Sequence, residues 1–216
     1  MTFEEHSHEV VELLEGLFVH IFNRLRDRFT DKITVIRAQY PAEEFKVPKD
    51  GKVLRLSFKE GISMLWENGY DVPDLEDLNT EMEKALGRLV AEKYGEEFYI
   101  LDKFPLAVSS PPPNQRASCV VNIGVGKAIL HNARLRGSQL FNYSNSYDFF
   151  MRGEEILSGA QRIHNSAFLA ERMSSHGLDP KSPGLVDYFN STSYGVLPHA
   201  GGGIGLERAV SLWMGL

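Results

Sequence analysis

The chain has 216 residues, of which 43% are hydrophobic and 24% are charged, and its net charge is −6. These values are typical of an ordinary soluble globular domain with a real core. The negative charge argues against a nucleic-acid module that works through a broad basic surface. The single cysteine, Cys119, excludes an internal disulfide. No apolar run is long enough to cross a bilayer and no targeting peptide opens the chain, so we expect a cytoplasmic protein.

A long amphipathic helix is the first predicted element. It runs from a capping box at Thr2–Glu5 to about Phe29, because apolar residues recur at helical spacing. The later elements follow in chain order: strands over 33–36 and 53–58, a helix over 61–68, a helix from a second capping box at Thr80 through Tyr94, a strand over 98–108 and a helix over 167–176. Strands with interposed helices predict an α+β fold, in which an antiparallel sheet is flanked by helices.

The most heavily charged motif is the run Met151–His164, which contains two acids, two arginines, a serine and two glycines among apolar residues. In a strand, a period of two places Glu155 and Ser158 on opposite faces, with Arg162 on the side of Ser158. A bulge at a glycine would reset this facing. The plain alternative is a strand that carries only structural ion pairs.

A glycine-rich segment, Gly201–Arg208, leads into the apolar stretch Ala209–Leu216. Four glycines in five positions leave a backbone that another molecule can approach closely. The planar cation of Arg208 suits a phosphate group and can also stack on a flat ring. The segment therefore indicates nucleotide binding.

Together, the two motifs resemble the catalytic domain of class II aminoacyl-tRNA synthetases, and more narrowly the aspartyl-tRNA synthetases of the eukaryotic and archaeal type. The resemblance extends over most of the chain and includes residues 4–14, 54–70 and 83–108. It implies the class II fold, with an antiparallel sheet flanked by helices. It also implies an ATP-dependent activation of aspartate to aspartyl-adenylate, followed by transfer to tRNA(Asp).

The resemblance implies roles for individual residues. Glu155 matches the acid that contacts ATP and its Mg²⁺, which prefers hard oxygen ligands. Arg208 matches the cation over the adenine and γ-phosphate, and these two residues are the expected catalytic groups. Arg162 matches the residue that grips the side-chain carboxylate of aspartate, and Ser158 matches a neighbouring aspartate contact. The rest of the expected ATP site is Gly205, Leu206 and Glu207.

Each assignment has a structural alternative. Glu155 could be a buried partner of Arg152, Ser158 could bond to the local backbone, and Arg208 could be a surface cation. A related enzyme that activates asparagine or lysine is a further alternative, although residues 153–162 fit the aspartate enzymes better. The remaining alternative is a non-catalytic, synthetase-like binding or regulatory paralogue.

The segment 109–142 does not fit this pattern, and a structureless loop of that length argues against an element assignment. The family pattern places the peptide Arg-Pro-Phe-Tyr-Thr-Met-Pro-Asp soon after the strand that ends at Val108. Permitted codons for Lys127–Ser138, read one nucleotide later, encode that peptide. Our hypothesis is that 109–142 is a mistranslated or inserted segment.

Both ends of the chain also bear on the prediction. Met1 falls where the family has an internal methionine in its second signature motif, so the arginine that clamps the ATP α-phosphate would lie upstream. We therefore expect residues 1–216 to be a partial catalytic domain without an anticodon-binding domain. We also expect no aspartate-dependent ATP–pyrophosphate exchange from the chain as written. The homodimer typical of the family is in doubt, since the first signature motif is missing.

Overall fold

The computed structural model describes residues 1–48, 51–72, 77–105, 143–175 and 177–216. The helices are α1 (His8–Gln39), α2 (Phe58–Glu67), α3 (Thr80–Tyr94), α4 (Ser166–Ser175), α5 (Val186–Thr192) and α6 (Leu206–Met214). The strands are β1 (Leu54–Ser57), β2 (Phe98–Asp102), β3 (Ser146–Met151), β4 (Glu154–Gln161) and β5 (Ala200–Ile204). The hypothesis about 109–142 concerns residues outside the described ranges.

The strands form one sheet in the order β1-β2-β3-β4-β5. The pairs β2–β3, β3–β4 and β4–β5 are antiparallel, which confirms the predicted α+β fold with a helix-flanked sheet. Strand β1 instead runs parallel to β2. A parallel pair needs a crossover connection, and α2 and α3 lie in the chain between these two strands.

The sheet separates two hydrophobic clusters because successive strand residues point to opposite faces. On one face, Phe98 and Phe149 pack with Phe18 of α1 and Met214 of α6. On the other face, Tyr99, Leu101 and Phe150 pack with side chains of α2 and α3. A third, smaller cluster joins the end of β4 to α4 and α5: Ile163, Leu169, Met173 and Leu185.

Helix α1 differs from its prediction at both ends. It begins at His8, and Thr2 forms a β-bridge with His199, so the predicted capping box at Thr2–Glu5 is wrong. The backbone leaves the helical conformation at Phe29 and then resumes it as far as Gln39. The predicted strand over 33–36 is therefore wrong as well, because burial of Ile33 in the core overrides the strand preference of branched residues.

The caps of the next two helices explain where they begin. Helix α2 starts earlier than predicted because Ser57 and Glu60 form a capping box. In α3, the Asn79 side chain accepts the Met82 N–H at 2.9 Å, so the cap lies one residue before the predicted Thr80. The helix ends at Tyr94, as predicted, and Gly95 follows in the left-handed conformation.

Candidate functional site

The charged motif lies on β4, between β3 and β5. In this register Ser158 pairs with Asp148 on β3 and with Gly203 on β5. Directly opposed residues of antiparallel strands share a face of the sheet. The Ser158 hydroxyl, the buried Asp148 carboxyl and the bare backbone of Gly203 therefore line the same face.

A bulge at Ile156 changes the predicted facing of Glu155. Phe149 pairs with Leu157 but Phe150 pairs with Glu155, so Ile156 is the extra residue. Since Asp148 and Phe150 share a face of β3, Glu155 lies on the same side as Ser158. The prediction that these two residues lie on opposite faces is therefore wrong. The bulge that brings them to one face lies at Ile156, not at a glycine.

The glycines of β5 leave this face open. A Cβ added at Gly202 would lie 2.8 Å from the Ser158 carbonyl oxygen, on the packed side of the strand. A Cβ at Gly201 or Gly203 would have no atom within 4 Å. The glycine strand is thus closely packed on one side and accessible on the other, as binding of a flat ligand requires.

Helix α6 brings Arg208 to the Glu155 end of β4. The Gly205 N–H donates to the Ile156 carbonyl at 3.0 Å, which fixes the start of the helix against the bulge. Arg208 Nη1 donates to the Glu155 carbonyl at 2.9 Å, and its side chain remains exposed. Leu206 and Glu207 are exposed beside it. The predicted ATP-site residues therefore gather at one end of β4.

Arg152 has partners on the other side of the β3–β4 turn. Its Nη2 donates to the Glu43 carbonyl at 2.7 Å, and its Nε lies 3.7 Å from a carboxylate oxygen of Glu97. Glu154 pairs with Lys84 at 3.1 Å. The positive charge of Arg152 is thus paired with the carboxylate of Glu97. These contacts do not support the interpretation of Glu155 as the partner of Arg152.

Glu83 of α3 also lies near this end of β4, and the sequence analysis missed it. Burial, together with the negative charges of Glu155 and Asp77, raises the pKa of Glu83 to about 7, while the positive charge of Arg208 opposes the shift. The helix approaches closely because Gly87 faces Gly153, where an added Cβ would lie 2.4 Å from the Gly153 Cα. The sequence feature that could have drawn attention to Glu83 is its position as an acid in the first turn of a capped helix.

The acids at this end of the site suit a hard divalent ion such as Mg²⁺. Glu155 and Asp148 present carboxylates on the same face. Among the described residues, no three His, Cys, Asp or Glu side chains converge as a metal site. Mg²⁺ is commonly held by one or two carboxylates together with substrate phosphates, so this donor set fits an ion that shares a nucleotide. Asp148 was missed, although an acid inside an apolar strand is a visible signal.

Arg162 marks the opposite end of β4. Its backbone N–H donates to the His199 carbonyl at 2.9 Å. Its Nη1 atom is buried and has no hydrogen-bond partner in the described part of the chain. Desolvation lowers the pKa of Arg162, and the groups that oppose this shift are the phenols Tyr188 and Tyr147. Because a guanidinium stays charged in proteins, this half-buried cation is suited to bind an anion.

Comparison with known proteins places this geometry in a family. The family model for tRNA synthetases class II (D, K and N) matches residues 1–216. The chain is 44% identical to the cytoplasmic aspartate–tRNA ligase of Rattus norvegicus, covering 100% of this chain and 38% of the relative. It is 43% identical to the Caenorhabditis elegans enzyme, covering 100% of this chain and 36% of that protein.

A solved structure gives the same result. The aspartyl-tRNA synthetase from Entamoeba histolytica superimposes with a TM-score of 0.83 at 41% identity, covering 100% of this chain and 39% of that chain. The chain thus spans well under half the length of the relatives that it matches. In the described part of the chain, no helix has the length and apolar character needed to cross a membrane.

Proposed function

Because the chain belongs to the class II tRNA synthetase family (D, K and N), we propose that it carries the aspartate- and ATP-binding part of an aspartate–tRNA ligase. In this reaction the α-carboxylate of aspartate attacks the α-phosphorus of ATP and pyrophosphate leaves. A hydroxyl of the terminal ribose of tRNA(Asp) then attacks the aspartyl carbonyl of the adenylate, and AMP leaves. The observation that carries the proposal is the half-buried Arg162 guanidinium, whose buried Nη1 atom has no hydrogen-bond partner among the described residues.

Arg162 supports aspartate as the substrate among the three amino acids of the family. The planar fork of a guanidinium can bind a carboxylate through two parallel hydrogen bonds. The amide of asparagine would leave the cation without a counter-charge, and the ammonium of lysine would be repelled. We assign the side-chain carboxylate of aspartate to Arg162 and a second aspartate contact to Ser158.

We assign ATP to the Glu155 end of β4. Its adenine would lie against the open glycine backbone, with Gly205, Leu206 and Glu207 beside it and Arg208 over the ring and γ-phosphate. Glu155 would hold Mg²⁺, with Asp148 as a second oxygen donor on the same face. The ion would offset phosphate charge during the displacement. Arg208 and Glu155 would orient the phosphates for in-line attack.

Further proposals follow from family membership. We propose tRNA(Asp) as a partner and the cytoplasm as the location, as the names of the relatives suggest. A homodimer like that of the family is a separate proposal, which sedimentation of the purified chain would test. The hypothesis that 109–142 is mistranslated or inserted is tested by sequencing the transcript across codons 108 to 145.

The proposed function is tested by calorimetry on the purified chain. We expect L-aspartate to bind about tenfold or more tightly than L-asparagine, since the charged side chain pairs with Arg162. Absence of this preference would contradict the assignment. Aspartate-dependent ATP–pyrophosphate exchange is then measured on the same sample. Exchange would make the chain a catalyst by itself, whereas binding without exchange would favour the non-catalytic alternative for this polypeptide.

A further inference from the structure

Three buried polar atoms near the Arg162 end of β4 have no hydrogen-bond partner among the described residues. They are Arg162 Nη1, the Tyr147 hydroxyl and the Tyr188 hydroxyl, and none has a partner within the part of the chain that the structure describes. They come from three separate elements: the end of β4, strand β3 and helix α5. Buried polar groups are normally satisfied, so a group of three calls for a ligand or another specific explanation.

Each of the two phenols lies close enough to Arg162 for the charge of the guanidinium to affect its pKa. The pKa of Tyr188 is raised by burial and lowered by the charge of Arg162. Burial likewise raises the pKa of Tyr147 to about 12, against the same opposing charge. Both phenols therefore stay protonated at neutral pH and keep an O–H that can donate.

Packing holds both phenol rings in place. Tyr188 and Phe189 pack against the small cluster that contains Ile163, the residue directly after Arg162. The Tyr147 ring lies over Gly159, where an added Cβ would come within 2.4 Å of it. Because Ile163 ties α5 to the end of β4, the Tyr188 hydroxyl and the guanidinium belong to one packed unit.

We propose that Tyr188 is a specificity-determining residue, whose hydroxyl donates a hydrogen bond to the same ligand carboxylate that Arg162 binds. This inference rests on the proposed function and names one residue more for its amino-acid pocket. A carboxylate has acceptor sites on both oxygens, so it can satisfy the guanidinium and a phenol together. Tyr188 carries the inference rather than Tyr147, because Tyr147 is also a core residue of the sheet.

The variant Tyr188→Phe removes only the oxygen atom and keeps the packed ring. Loss of a hydrogen bond to a charged group should raise the dissociation constant for L-aspartate about tenfold or more. The dissociation constant for L-asparagine should change much less, since the bond to a neutral amide is weaker. The ratio of the dissociation constant for L-asparagine to that for L-aspartate should therefore be smaller in the variant than in the wild type. The matched control is Tyr194→Phe, just beyond α5, where the side chain is 88% exposed.

The proposed role of Tyr188 is tested by titration calorimetry with L-aspartate and L-asparagine on the full chain and both variants. The expected result is weakened aspartate binding for Tyr188→Phe and unchanged binding for Tyr194→Phe. Equal binding by wild type and Tyr188→Phe would overturn this inference alone, as would an equal loss for both amino acids, which a merely structural role would produce. Failure of the wild type to bind aspartate would overturn the proposed function, and this inference with it.

A second measurement covers the case in which Tyr188→Phe does not fold, which circular dichroism would reveal. A phenol that gains a hydrogen bond to a carboxylate changes its ultraviolet absorbance. Saturating the wild-type chain with L-aspartate should therefore produce a tyrosine difference spectrum, and Tyr194→Phe should produce the same one. Aspartate binding without a tyrosine difference spectrum would overturn the inference.

Discussion

The two ends of β4 differ in how their charged side chains are paired. At the first end, cations lie near the acids: Lys84 pairs with the Glu154 carboxylate, and Arg208 donates to the backbone carbonyl of Glu155. At the second end, the Arg162 guanidinium is half-buried beside two phenols and has no hydrogen-bond partner for Nη1 among the described residues. The first end can therefore accept a ligand of mixed charge, such as a metal-bound phosphate. The second end is suited to one anion of fixed shape.

The largest expected effect is at the cation end. Arg162→Ala should weaken aspartate binding by about 3 kcal/mol, or more than about 100-fold, because the ligand carboxylate loses its buried counter-charge. Binding of ATP should change little, since its assigned residues lie at the other end of the strand. Titration calorimetry with each ligand measures both effects, and Arg88→Ala, at an exposed site on α3, is the control. An equal loss for both ligands would show that the two ends are not separate sites.

The next effect concerns the packing of α3 against the acid end. Gly87→Ala should lower the free energy of unfolding by about 2 kcal/mol, because its methyl group would overlap the backbone of Gly153. Thermal unfolding monitored by circular dichroism measures the loss. The variant should still bind aspartate below its unfolding temperature, since Arg162 and Gly153 lie at opposite ends of β4.

A glycine in another helix provides the control for this substitution. A Cβ at Gly16, on the exposed side of α1, would meet no atom within 4 Å. Gly16→Ala should therefore raise the free energy of unfolding by about 0.5 to 1 kcal/mol, as the helix preference of alanine predicts. Destabilisation by both substitutions would contradict the steric argument for Gly87.

The contrast between the ends was only partly predictable from the sequence. Helices α2 and α3 follow from short-range signals, and the ligand-binding residues predicted from the sequence lie in two short contiguous motifs. The facing of Glu155 was predicted incorrectly because it depends on pairing with β3, where a bulge at Ile156 shifts the register. Local periodicity contains no information about such a shift.

The residues that sequence reasoning missed come from other elements. Glu83 precedes Glu155 by more than seventy positions, and the close Gly87–Gly153 contact helps to bring its helix to β4. Tyr188 lies on a short helix whose place depends on the cluster around Ile163. A site assembled from several elements depends on tertiary packing, whereas a motif within one strand can be recognised from the sequence alone.

A smaller effect than that of Gly87→Ala tests the electrostatics of the acid end. The folded chain raises the pKa of Glu83 from 4.5 to about 7, so folding takes up a proton between these values. Stability should therefore fall as the pH rises from about 4.5 through about 7 and then level off. Glu83→Gln should remove this fall and stabilise the ligand-free chain by about 1 kcal/mol at pH 8, a value reduced by solvent screening of a half-buried group.

Urea unfolding with a chelator at pH 5 and pH 8 measures the difference between wild type and Glu83→Gln. The gain should be small at pH 5, where the wild-type carboxyl is already protonated in the folded state, and larger at pH 8. Glu81→Gln, at an exposed position in the same helical turn, should not reproduce this pH-dependent gain. An equal gain in the free energy of unfolding at both pH values would mean that Glu83 acts through packing rather than through its charge. In that case, Arg208 would already offset the negative charge of the acid end without a bound ligand.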